Sequence, residues 1–148
     1  MSLTSLLAEG KLRRHRTTPQ EIAELLRVVA RDVADAAVPQ LSADRRFVTA
    51  YNAALALATV VLSAGGYRAV GAGHHWTTIQ VLPELLGSEA QTRADYLDNC
   101  RSRRNTADYD RVGTVSDVEA EELLAEVAAF HDDVLGWLRA NHPGLVSP

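Results

Sequence analysis

Arg101, Arg104, Asn105, Asp108 and Tyr109 fall in one short stretch of this chain, and their types and spacing could do phosphate chemistry. At about 3.6 residues per turn, Leu97, Cys100, Arg104 and Ala107 share one helical stripe, so a guanidinium stands where the pattern asks for an apolar group. About a quarter-turn away run Arg101, Asn105 and Tyr109, and Asp108 follows Arg104 by one turn. A planar fork of donors, an amide, a phenol and a carboxylate thus share one side of one helix. Two readings fit. Arg104 and Arg101 can grip a phosphate in bidentate fashion, or Arg104 and Asp108 can form a half-buried pair that fixes helix register, since a buried guanidinium needs a partner.

His74 and His75 bring imidazoles that titrate near neutrality and suit acid–base work. Adjacent histidines point to different sides of a helix, so they are not a chelating pair by themselves; capping or interface roles are the plainer alternative. His131-Asp132 matches the HD dipeptide of metal phosphohydrolases, which also needs ligands from other helices. No metal or other cofactor is expected. Cys100, on the apolar stripe, reads as a small core residue, and as the only cysteine it rules out an internal disulfide.

These residues need helices to position them. Thr18-Pro-Gln-Glu21 combines a capping hydroxyl, Pro at the first helical position and Glu three residues on, predicting a helix to about Val38. Ser42 opens a second helix, apolar on nearly every side from Phe47 to the Gly65-Gly66 stop, with Tyr51 and Asn52 read as satisfied core polars. Gly65 to Gly73 reads as a turn and not a phosphate loop, because no Gly-Lys-Ser/Thr closes it. A short helix over 77–86 is expected to kink or break near Pro83, and Ser88-Glu-Ala-Gln91 to cap the helix that carries Arg104. Ser116-Asp-Val-Glu119 is a capping box that opens the last helix, which Asn141-His-Pro-Gly144 terminates. The expected fold is all-α: an antiparallel four-helix bundle with an additional short helix over 17–148, preceded by a basic arm over 1–16 ending in Lys11-Leu-Arg-Arg-His-Arg16.

The chain has 148 residues, 47% hydrophobic, 23% charged and 5% aromatic, which suits one helix-rich domain. A net charge of −4 excludes a general nucleic-acid coater, so any RNA or DNA contact has to come from a local basic patch. The longest apolar run, about residues 53–62, is short for a bilayer and the first residues lack a secretory core, so the expectation is a cytoplasmic protein with no membrane partner.

Arg104-Asn-Thr-Ala-Asp-Tyr109, late in a helical chain and preceded by Gly73-His-His75, resembles the HEPN superfamily. These are small all-α proteins, mostly dimers, found in toxin–antitoxin and defence systems and beside nucleotidyltransferases. The resemblance covers about residues 19–142 as architecture, and its specific part is Arg104, Asn105 and the Tyr109 position. It implies a catalytic set of Arg104, Asn105 and Tyr109, with Arg101, Asp108, His74 and His75 as substrate-binding groups. It further implies a homodimer with RNA or a nucleotide as ligand, and an antitoxin or nucleotidyltransferase as partner. If active, the protein would be a metal-independent endoribonuclease. Tyr109 departs from the pattern, standing where active members carry His; a phenol with a pKa near 10 is a poor base at neutral pH. An imidazole from another helix, His74 or His75, would have to replace it. The alternative function is a non-catalytic helical module that pairs with a neighbouring protein.

Overall fold

The helix opened by Ser42 is apolar all round, and the rest of the chain packs about it. The computed structural model describes residues 2–106 and 113–146. The described residues are mostly helical, with one two-stranded ribbon: α1 (Leu3–Ala8), β1 (Leu12–Arg14), α2 (Pro19–Ala36), α3 (Ala43–Ala64), β2 (Tyr67–Ala69), α4 (His74–Gln80), α5 (Leu82–Leu86), α6 (Gln91–Asn105) and α7 (Asp117–Asn141). The chain is all-α, as expected from its periodicity.

α3 packs on α2 and α7 along most of its length and on α4, α5, α6 and β2 besides. Ala50, Ala53, Ala54 and Ala58 are fully buried on it, so small side chains let several neighbours approach at once. By length and composition α3 could cross a membrane, although the run 53–62 alone suggested otherwise; 72% of its apolar window is buried inside the fold, as in a core helix.

Local signals account for most helix ends. Thr18 accepts the Glu21 N–H at 3.2 Å ahead of Pro19, and Ser42 accepts that of Arg45 at 3.2 Å. Three expectations need correction. The helix over 77–86 starts earlier, at His74; the break near Pro83 is as expected and falls at Val81, since Pro83 lacks an N–H and would crowd the carbonyl of Ile79. The Ser88–Gln91 capping box does not form: Ser88 to Ala90 make a 3-10 turn, α6 starts without a side-chain cap, and Gln91 donates to Asp95 at 2.8 Å instead. The glycine-rich connection is more than a turn, since Tyr67 to Ala69 pair antiparallel with β1 in the register Leu12↔Ala69, Arg13↔Arg68, Arg14↔Tyr67. Residues expected as a basic arm therefore include α1 and a strand, held by Leu6 and Leu12 buried against Leu62 and Val81.

The junction between α6 and α7 is polar. Ser116 and Glu119 form the reciprocal capping box, with both Ser116 Oγ and Glu119 Oε1 at 3.1 Å from the N–H groups they accept. Glu119 also accepts from Arg103 at 2.5 Å, and Arg103 donates a second bond to the Thr114 carbonyl at 2.8 Å. Asp44, at the start of α3, accepts from the N–H groups of Gly113 and Val115.

Arg103, and then the Ser116 N–H, hold the Glu119 carboxyl down to about 2. Because its folded value lies below its ordinary 4.5, this carboxylate stabilises the fold fully above that pH and loses its contribution as pH falls from 4.5 toward 2. Ser116→Ala is expected to cost about 1 kcal/mol and lower the melting temperature by roughly 2–4 °C at neutral pH. Glu119→Gln should melt below the parent at pH 7, and thermal melts should converge as pH drops toward 2.

Candidate functional site

α6 carries four arginines, and its neighbours divide them. Arg93 donates to Glu126 at 2.6 Å and to Asp133 at 2.8 Å while its guanidinium lies 4.9 Å from the centre of the Phe130 ring. Arg103 serves the α7 cap. Both face α7 and act as clamps. Ala94, Leu97 and Cys100 on the stripe between them are buried in the core, and burial pushes the Cys100 thiol up to about 11, so it stays protonated.

Arg104 continues that stripe and is half-buried, with Nη1 3.5 Å from the Asn105 Oδ1, at the outer limit of a hydrogen bond. Arg101 lies about 60° away around the helix, half-buried, with Nε on Asp98 at 3.0 Å. Asn105 is exposed. Asp108 and Tyr109, the remaining members of the expected constellation, lie outside the described residues, as does Ala107.

The same side of α6 packs against α4. Gly73 adopts φ +74, a left-handed conformation suited to glycine, and delivers His74 and His75 to the first turn of α4. The exposed His74 donates from Nδ1 to the Gly71 carbonyl at 3.2 Å, and its ring meets that of His75 edge-on at 4.4 Å and 80°. His75 is half-buried, and its pKa is lowered from 6.5 by burial first, then by His74, Arg104 and Arg101. At neutral pH it is an uncharged imidazole, able to accept a proton.

Tyr51 completes the group from below. The sequence reading placed it as a satisfied core polar; instead its hydroxyl is buried with no hydrogen-bond partner among the described residues. Burial pushes its pKa up to about 12, while Arg101 and Arg104 pull the other way. A protonated phenol and a neutral imidazole thus lie within electrostatic reach of the same two guanidiniums. Only the orphaned hydroxyl marks Tyr51, and no spacing rule connects α3 with α6.

The arrangement can neutralise a phosphate diester and offer it an imidazole acceptor. His131, half-buried, and Asp132, exposed, are on α7, and among the described residues no three His, Cys, Asp or Glu side chains converge as metal ligands. A groove of about 670 Å³ along the α6–α7 seam is lined by Arg93, Tyr96, Glu126 and Trp137 and shares no residue with the His75–Arg104 group.

A model of the family described as SAV_6107-like HEPN matches residues 36–135, which takes in the end of α2, all of α3 to α6 and most of α7. No curated protein and no solved structure matches the chain.

Two measurements check the group without a ligand. Tyr51→Phe removes a buried hydroxyl that has no partner among the described residues, so the melting temperature should hold or rise, by up to about 1 kcal/mol of stability; a fall of that size would mean the hydroxyl has a structural partner. The ring protons of His75 should titrate below pH 6.5 by NMR, and the midpoint should move up in Arg104→Ala.

Proposed function

The chain belongs to the SAV_6107-like HEPN family, and from that premise we propose that it binds the phosphate backbone of RNA where α4 meets α6 and cleaves it without a metal. The observation that carries the reading is His75, an uncharged imidazole beside Arg101 and Arg104. It answers the departure at Tyr109, because it offers a proton acceptor from another helix at the face where the family motif places Arg104 and Asn105.

In the proposed reaction His75 takes the proton of a ribose 2′-hydroxyl. The oxygen attacks the adjacent phosphorus, the bond from phosphorus to the 5′-oxygen breaks, and that oxygen leaves with a proton from water, whose hydroxide takes the proton back from His75. The products are a 2′,3′-cyclic phosphate and a free 5′-hydroxyl. Arg104 and Arg101 stabilise the charge that builds on the phosphoryl oxygens, where fixed donors count most. Asn105 and the Tyr51 hydroxyl orient the diester, and His74 supports the His75 ring. We include in the proposal a homodimer that brings two copies of Arg101, Arg104 and Asn105 to one groove.

Purified protein, incubated with mixed single-stranded RNA and a chelator, should yield cyclic-phosphate ends. Arg104→Ala should lower kcat/KM by about 100-fold. His75→Ala should lower kcat by roughly 100-fold or more with RNA affinity kept within a few-fold. The base must be neutral to work, so the rate should climb with pH through a midpoint below 6.5 and level off by neutrality. Binding without cleavage in every form would reduce the site to RNA holding; absence of both cleavage and salt-dependent binding would overturn the reading.

A further inference from the structure

We propose that the β1–β2 ribbon is a second contact surface for single-stranded RNA, a basic track that leads the strand to His75 and Arg104. The inference rests on reading that site as an RNA site and adds a place where the strand lies outside it. The chain is acidic overall, with a net charge of −4, yet Lys11, Arg13, Arg14, Arg16 and Arg68 gather on and around one short ribbon. The register sets Arg13 directly opposite Arg68, both exposed. Like charges directly opposite one another destabilise a strand pair, and a bridging anion reverses that effect.

Protein carboxylates do not fill the role. Among the described residues no carboxylate is within ion-pair distance of Arg13, Arg16 or Arg68, in contrast to Arg93 and Arg103, which each bind one or two. Glu21 holds His15 at 2.8 Å, and Glu24 shares a hollow with Arg68 without pairing with it. The surface pair of Lys11 with Glu9, 3.5 Å apart and half-exposed, is weak.

Aromatic rings lie beside two of these charges. Arg14 lies 5.9 Å from the centre of the Tyr67 ring and Lys11 5.8 Å from that of Trp76, the residue after His75. The connection 70–73 then carries the ribbon directly into the first turn of α4. Cations for phosphates and rings for bases, running up to a candidate cleavage site, suit a single strand better than a membrane surface. β1 precedes the residues that the family model matches, whereas β2 and Trp76 lie within them, so the track joins one strand outside the matched part to one inside it.

The test measures affinity of the full chain for a long single-stranded RNA, for a trinucleotide and for phosphatidylserine vesicles, over a range of salt. Arg13→Glu replaces the opposed like charges with an opposite pair, so the fold should melt no lower than the parent. Long-RNA affinity should fall about tenfold at low salt and the salt slope by about 1, with the trinucleotide unaffected. Arg13→Gln with Arg68→Gln checks the same loss if the reversal disturbs folding. Unchanged long-RNA affinity and slope in both variants would overturn the proposal, as would loss confined to vesicles. Arg104→Ala keeps the two readings apart. If it loses the trinucleotide while the ribbon variants lose nothing, the ribbon falls and the site stands; if it loses nothing while the ribbon variants lose the long RNA, the site falls and the ribbon stands.

Discussion

A helix apolar on every side has to be surrounded, and that requirement on α3 orders the rest of the molecule. Each neighbour gives it one apolar stripe and must settle its remaining faces elsewhere. α2 and α7 do so with wide stripes, Ile22, Val29 and Ala36 on one, Leu123, Val127, Phe130, Val134 and Leu138 on the other. α6 buries Ala94, Leu97 and Cys100 fully and packs Tyr96 half-buried against the core, a narrower stripe. Ion pairs add to its attachment: Arg93 and Arg103 bind carboxylates of α7 at either end, and Asp44 ties the chain on the far side of residues 107–112 back to α3.

This division explains why a helix so rich in arginine can be both anchored and open for chemistry. Successive residues step about 100° around the axis, so Arg103 and Arg101 flank Arg104 on opposite sides. One flank, Arg103, meets the acids of α7. On the other, Arg101 pairs with Asp98 of its own helix, beside the imidazole of α4 and the phenol of α3. Burial first, then His74, Arg104 and Arg101, lowers the pKa of His75.

The readable part of this fold was the part written locally. Thr18, Ser42 and Ser116 cap helices as their spacing predicts, because a capping hydroxyl acts within three residues. Ser88 has the same spacing but follows Gly87, which turns the chain into a 3-10 turn first. The ribbon was hidden because β1 and β2 are separated by two helices, and three-residue strands leave no periodicity. At the candidate site the stripe through Arg104 was visible, as was the resemblance that singled out Arg104 and Asn105. Which arginines are clamps was not, since their acids lie 16 to 40 residues away in the chain. The company His75 keeps with Arg104, and the dry hydroxyl of Tyr51, likewise arise only when α3, α4 and α6 meet.

That hydroxyl has a thermodynamic consequence. Tyr51 belongs to the helix every other long helix touches, and its oxygen is buried without a protein partner among the described residues. The dehydration cost is borne by the folded state before any ligand arrives. Under the proposed function, a ligand group that hydrogen-bonds to it would recover that cost, and occupancy of the site and survival of the core would become one linked equilibrium. Resistance to heat would then gauge whether the proposed site is filled.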